Sequence, residues 1–329
     1  MTTNYQIDSS QTKGNSIRIF APISIGNVSV GFDSLGLAVT PIDGELIGDI
    51  VEIKASSNGE NQLTCSGRYL HSLPEKQQEN IVWQCLLDFN QLFKQQGGKV
   101  TAVHLSLEKN TPICSGTGSS ACSVVAGLMA LNEFYNKPFS ENQLLKLMGQ
   151  LEGKISGGIH YDNVAPCYLG GLQLMHESGD NISLSLPIFD DCYWVMSYPD
   201  VVISTRKARE ILPKTYSLKD AITFARQLAV FIDASYRQDK AQAFSVLTDV
   251  IAEPYRLDLL KDYSQTKQAL VEQGCLAVGI SGSGPTVFAV CNNLEQAKKA
   301  KQILDKQYLQ SPQGFTSICK VDTQGSRRI

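Results

Sequence analysis

Pro112-Ile113-Cys114-Ser115-Gly116-Thr117-Gly118-Ser119-Ser120-Ala121-Cys122 is the stretch whose reading decides the fold. Before it, residues 100–107 (VTAVHLSL) alternate, with Val103, Leu105 and Leu107 on one face, which is the period of a strand. After it, residues 123–134 (SVVAGLMALNEF) are apolar at helical spacing. The stretch therefore leads from a strand into a helix N-terminus. Its glycines let the backbone come close to a ligand. Unpaired N–H groups and the positive end of the helix dipole then favour an anion, above all phosphate.

Several phosphate-loop patterns compete for this segment. A Walker A loop needs Gly-Lys-Ser/Thr at the helix start, and no lysine follows these glycines. Gly116-Thr117-Gly118-Ser119-Ser120-Ala121 fits the dinucleotide pattern G-x-G-x-x-G/A, but that pattern should open directly off a strand. Here Glu108-Lys109-Asn110-Thr111 and Pro112 intervene, and the acid about 20 residues on, Glu141, starts a helix instead of ending a strand. A plain helix cap needs one serine, not this run. Over its full length the segment resembles the P-x-x-x-G-x-G-S-S-A loop of the GHMP-type small-molecule kinases.

The chain has 329 residues, 43% apolar and 19% charged, which suits a soluble globular protein of two domains. A net charge of −3 gives no nucleic-acid footprint. No apolar run reaches membrane-spanning length and no hydrophobic leader core is present, so a cytoplasmic protein is expected. The nine cysteines are odd in number and form no CxxC pair, which points to reduced, mostly buried thiols. The four histidines show no zinc-ligand spacing with them.

Read in order, residues 1–15 form a polar, flexible N-terminal arm, residues 16–175 a first domain and residues 176–329 a second. Strands are expected at 16–25, 35–42 and 50–55, an irregular polar stretch at 56–79, and an amphipathic helix at 79–94. Ser140 caps a helix over 141–151 with Glu152 at its end. The Gly153–Pro166 segment that follows is glycine-rich and loaded with acid, amide and imidazole groups, the composition of an ordered site loop. The second half alternates helices with short strands at 182–186, 193–198, 276–280, 287–291 and 315–321, an α+β pattern.

Three segments together carry the resemblance to the GHMP kinase superfamily: Ala21–Asp33 (APISIGNVSVGFD), the Pro112 loop, and Gly279–Thr286 (GISGSGPT). Residues 151–171, 204–209 and 251–256 (IAEPYR) narrow it to the branch that phosphorylates L-homoserine. The likeness runs from about Ser16 to the C-terminus, with Cys114 and Thr117 standing where that family's loop often has Gly and Leu. It implies a two-domain α+β fold, ribosomal protein S5 domain 2-like at the N-terminus and ferredoxin-like at the C-terminus. It also implies a homodimer, ATP and Mg²⁺ as cofactors, and transfer of a phosphoryl group to the L-homoserine hydroxyl for threonine biosynthesis.

Residue by residue, the resemblance implies that Pro112 to Cys122 hold the nucleotide and that Ser120 and Glu152 hold the metal. It makes Arg209 and Arg256 the carboxylate clamp and Asp33 the ammonium site. Asn27 lies by the hydroxyl, Thr205 assists, and Gly282 and Gly284 fold over the phosphate loop. Asn163 stands where mevalonate-type relatives carry an aspartate base; an amide orients a hydroxyl but cannot deprotonate it. Direct attack with late loss of the proton to phosphate or water follows, with His160 as the alternative acceptor and Asp162 as a group that fixes the loop. Adenine contacts are sought in 56–79 and the following helix, including Asn80. Another GHMP kinase acting on mevalonate or shikimate, or a non-catalytic nucleotide-binding regulator, are the alternatives.

Overall fold

The structure, a computed structural model, describes residues 16–178 and 181–329, so the arm expected over 1–15 lies outside the described residues. The chain runs β1 (Ile17–Pro22), β2 (Ser24–Gly26), β3 (Leu35–Pro41), β4 (Gly48–Ala55), β5 (Gln62–Ser66), α1 (Ile81–Gln95), β6 (Val103–Glu108), α2 (Ser119–Phe134), α3 (Glu141–Ser156) and α4 (Val164–Leu169). It continues through β7 (Leu172–Ser178), β8 (Asn181–Leu186), β9 (Tyr193–Tyr198), α5 (Thr205–Glu210), α6 (Leu218–Arg237), α7 (Lys240–Ser245), α8 (Glu253–Arg256) and α9 (Tyr263–Glu272). It closes with β10 (Ala277–Ile280), β11 (Val287–Cys291), α10 (Leu294–Gln307), β12 (Phe315–Val321) and β13 (Arg327–Arg328).

One sheet has the order β13-β1-β4-β6-β5, and a larger one the order β10-β11-β9-β12-β3-β7-β8 with β2 beside β3. Within the larger sheet the four C-terminal strands lie antiparallel with the first flanked by the third and fourth, the split βαβ arrangement of ferredoxin-like folds. Residue 175 lies inside β7, and both sheets draw strands from either side of it. Cys319 of β12 pairs with Pro41 of β3, and Phe20 of β1 pairs with Arg327 of β13. The division expected after residue 175 is therefore not marked by a break in either sheet.

α2 is the central element. Every residue in it is buried except Ser120, Met129 and Glu133, because the helix lies against β1 and β4 on one side and α1 and α3 on the other. Burial on all sides explains its continuous apolar sequence. A second apolar cluster, built on Tyr263, Leu270, Ala289, Ala300 and Leu304, packs α9 and α10 on the C-terminal strands.

Three expectations need correction. Residues 56–79 are not wholly irregular: β5 pairs parallel with β6, and its alternation of Leu63 and Cys65 with exposed polar residues lasts only five residues. α2 begins at Ser119 rather than Ser123, so Ser119 and Ser120 form its first turn. Glu152 is not at a helix end. α3 starts with a reciprocal Ser140–Gln143 capping box and runs on until Gly157, at φ +86°, can close it. Among the described residues no helix is long and apolar enough to cross a membrane.

Candidate active site

The loop before α2 turns with Cys114, Gly116 and Gly118 all at positive φ (54°, 82° and 69°). Its carbonyls are drawn outward by three other segments, two of them by the turn between β10 and β11. Cys114 O accepts from Ile203 N, Ser115 O from Thr286 N, Gly116 O from Ser281 Oγ, and Thr117 O from Ser24 N, at 2.7–3.3 Å. Thr117 N–H donates to Ser115 Oγ (3.3 Å); with the carbonyls engaged outside, the other loop N–H groups are left for a ligand, as in an anion nest. α2 has Gly118 as N-cap and no side-chain cap, so its first-turn donors remain available to a ligand. Gly118 must be glycine for a second reason: a Cβ there would lie 2.3 Å from Ser24 Oγ.

Beneath the loop lies a side-chain network that sequence reasoning missed. Lys109 is 1% exposed, and its three N–H groups are shared among four acceptors within hydrogen-bonding distance of Nζ: Asp49 Oδ2 (2.6 Å), Thr111 Oγ1 (3.0 Å), Ser119 O (2.9 Å) and Ser123 Oγ (3.0 Å). Asp49 in turn accepts from the backbone N–H groups of Asn110 and Thr111 and from Ser123 Oγ. This fully bonded ion pair ties β4 to both ends of the phosphate loop. In sequence a lysine after a strand reads as surface, and nothing nearby in the chain names Asp49 as its partner.

Ser120 Oγ donates to Glu152 Oε1 at 2.6 Å, joining the first turn of α2 to α3. Burial raises the Glu152 pKa, against the Ser120 hydrogen bond and the nearby Lys109 charge. The described residues hold no cluster of three or more His, Cys, Asp or Glu side chains fit for a metal. A carboxylate and a hydroxyl side by side next to an anion nest nevertheless suit Mg²⁺, a hard ion that takes most of its ligands from phosphate oxygens and water.

Asn163 Oδ1 accepts from Ser24 Oγ (3.0 Å) and its Nδ2 donates to Asp162 Oδ2 (3.2 Å), so both ends of the amide are oriented by protein. Asp162 is 6% exposed; burial, then the Asp33 charge, push its carboxyl up to about 7.

The third group lies across the cavity. Arg209, on α5, grips Asp33 with both terminal nitrogens (2.9 and 2.8 Å), and that hydrogen-bonded pairing raises the guanidinium pKa further. Arg256 is 3% exposed; it donates to Gly282 O (2.9 Å) and Ala208 O (3.2 Å), and burial pulls its pKa down. Both guanidiniums lie over the Phe32 ring, 5.5 and 5.6 Å from its centre. Asn27 braces the arrangement: its Oδ1 accepts from Asp33 N (2.9 Å) and its Nδ2 donates to Gly282 O (3.1 Å). Asn27, Val28, Ser29 and Asp33 all sit at positive φ, a strained course that these cross-links hold in place.

One cavity of about 360 Å³ is lined by Asn27, Asp33, Ile113 to Gly116, Gly118 to Ser120, Glu152, His160, Asp162, Asn163, Thr205, Arg209, Arg256 and Gly282. Pro112, Thr117, Ala121, Cys122 and Gly284 are not in its wall. Thr117 is buried against Ser115 Oγ, Ala121 and Cys122 face the core, and a Cβ on Gly284 would meet Ile280 and Leu260. The close approach between the two loops is at Gly116, where a Cβ would lie 2.4 Å from Ser281 O. Asn80 caps α1 and lines a second cavity with Leu63, Cys65 and His71, which shares Leu73 and Pro74 with the first.

Residues 80–171 match the GHMP kinases N terminal domain, and residues 233–310 the GHMP kinases C terminal domain. The homoserine kinase of Cytophaga hutchinsonii is 31% identical, with a TM-score of 0.86 over 97% of this chain and 99% of that one. A Listeria monocytogenes protein assigned as a homoserine kinase is 24% identical, with a TM-score of 0.71 over 95% and 99%. The L. major mevalonate kinase, solved with R-mevalonate, shares the fold at 13% identity and a TM-score of 0.66 over 93% and 96%. A glycine-rich turn at the tip of a buried helix, in a chain matched in both halves by this family, leads to one conclusion: the chain belongs to the GHMP kinases.

Proposed function

We propose that this kinase transfers the γ-phosphoryl group of ATP to the side-chain hydroxyl of L-homoserine. The observation that carries the substrate is the grouping of Asp33, Arg209 and Arg256 in the wall that also holds the phosphate loop. Arg256 is a buried cation with no carboxylate within ion-pairing distance among the described residues, and such a group calls for an anionic partner from the ligand. Mevalonate and shikimate offer a carboxylate but no ammonium for Asp33. The 31% identity to the Cytophaga hutchinsonii homoserine kinase supports the same substrate.

In this reading the loop N–H groups hold the triphosphate, and Ser120 and Glu152 hold Mg²⁺, which neutralises phosphate charge when bound. Asn163, its amide fixed by Ser24 and Asp162, orients the acceptor hydroxyl. The hydroxyl oxygen bonds to the γ-phosphorus while the bond to the ADP oxygen breaks. The transition state is loose, so position and charge outweigh early deprotonation, and the proton leaves late to phosphate or water. A coupled ADP-release assay with homoserine, serine, threonine, mevalonate and shikimate tests this; a preference for any acceptor but homoserine overturns it. The expected homodimer draws support from Leu218 and Ile222 of α6, 77% and 47% exposed. Light scattering should give twice 36.0 kDa, and the monomer mass would refute it.

A further inference from the structure

Two of the nine free cysteines meet at the base of the hairpin whose turn covers the phosphate loop. Leu276 N donates to Val290 O (2.8 Å), which sets Cys275, just before β10, beside Cys291, the last residue of β11. Their sulfurs lie 3.8 Å apart in the apolar cluster that packs α9 and α10 on the C-terminal strands. The pair is outside the wall of the cavity described above. Among the described residues no third His, Cys, Asp or Glu completes a metal site, so the chemistry open to the pair is that of a dithiol. The two thiols are not equivalent. Cys291 is wholly buried, whereas Cys275 is 8% exposed, follows the exposed Gly274, and donates to Gln273 Oε1 at 3.6 Å. A hydrogen bond from the Cys291 thiol holds Cys275 below the usual thiol range, and the same contact, with burial, raises Cys291. Cys275 is therefore the nucleophile, and its buried neighbour acts second. We propose that Cys275 and Cys291 form a reversible redox site, which reacts with low-molecular-weight disulfides and closes to a cystine.

The exchange balances with that one co-reactant. The Cys275 thiolate attacks one sulfur of the disulfide RSSR; the S–S bond breaks and a thiolate RS⁻ leaves. The Cys291 thiol gives up its proton and attacks Cys275 Sγ, and the second RS⁻ leaves. The two protein thiols lose two electrons and two protons, and RSSR is reduced to two RSH. The sulfurs must close by about 2 Å to reach bonding distance. Cys275 lies outside the β10–β11 ladder and follows Gly274, at φ +95°, so the movement falls on the less constrained partner. The two positions are 16 apart, and the loop they close contains Ser281 and Thr286, which hold the phosphate loop. Closing that loop restricts the unfolded chain and so stabilises the fold.

Equilibrating the full chain with glutathione disulfide, then trapping free thiols and reading the peptides by mass spectrometry, tests the site. Trypsin leaves both cysteines on one peptide, residues 268–298. In wild type that peptide should take up no trapping reagent and weigh two hydrogens less than its reduced form, and dithiothreitol should restore both thiols. In Cys291→Ala no second thiol is left, so Cys275 should stop as a mixed disulfide with glutathione. In Cys275→Ala, Cys291 should stay a free thiol, because the reagent does not reach it. Oxidised wild type should melt about 3–5 °C above the reduced protein, a gain absent from both variants treated alike. None of these readouts uses turnover, so they stand apart from the choice of acceptor. Two thiols that stay free in excess glutathione disulfide overturn the site. Glutathione found on Cys291 in Cys275→Ala overturns the order of attack, and a cystine that leaves the melting temperature unchanged overturns the closing of the hairpin.

Discussion

Lys109 Nζ lies 2.6 Å from Asp49 Oδ2 directly under the phosphate loop, with both side chains at most 2% exposed. Removing one partner leaves a buried charge unmatched. Lys109→Met should cost about 3–5 kcal/mol and loosen ATP binding, because Ser119 and Thr111 lose their common donor. Adding Asp49→Asn should restore much of the stability. Urea midpoints for the two variants check this; a wild-type midpoint for the single variant would show that the pair holds nothing.

Cys114 takes a φ of 54°, in the left-handed region that favours glycine. Cys114→Gly relieves a strain of about 1 kcal/mol, so the melting temperature should rise by about 2–4 °C. A lowered melting temperature would mean that the Cys114 side chain contributes more than its backbone costs.

Glu152→Gln keeps an acceptor for Ser120 but removes the anion. Turnover should fall by about 100-fold or more, with a higher Mg²⁺ requirement and little loss of stability. Asn163→Ala should slow turnover strongly while KM for ATP holds. Steady-state kinetics decides both, and an unchanged kcat in either removes that residue from the mechanism.

Asp162 has a carboxyl pKa of about 7 in the folded chain, above the usual aspartate value of 3.8. Between these values the folded state holds a proton that the unfolded state has lost, so stability falls as pH rises through that window and is level above it. Asp162→Asn removes this penalty. The variant should therefore gain stability over wild type at pH 8, by an amount on the order of 2–4 kcal/mol, and show no such gain at about pH 4. Melting curves at the two pH values test the sign, and parallel curves would refute it.

Gly116→Ala would place a methyl 2.4 Å from Ser281 O and 3.0 Å from Gly284 Cα, prising the C-terminal turn off the phosphate loop. KM for ATP should rise about tenfold or more, with a smaller change for the acceptor. Gly284→Val should act first on stability, since its φ of 76° disfavours valine and its Cβ points to Ile280 and Leu260. An unaltered nucleotide KM in Gly116→Ala would count against closure between the loops.

The sequence by itself determined the glycine- and serine-rich turn that leads into a helix, the helices that bear an apolar stripe, and the cap at Ser140, because these signals are local: glycine and serine at a helix tip, and periods of 3.6 and 2. It could not show β5 and β13, whose short or polar strands gain their stability from partners far along the chain. Nor could it pair Lys109 with Asp49, 60 positions away, or Arg209 with Asp33, 176 away. Those pairings depend on two sheets that exchange strands, and only the tertiary structure decides which charges meet. The physical reason is that a charge's role is set by its distance to other charges and to water, and that distance belongs to the folded chain alone.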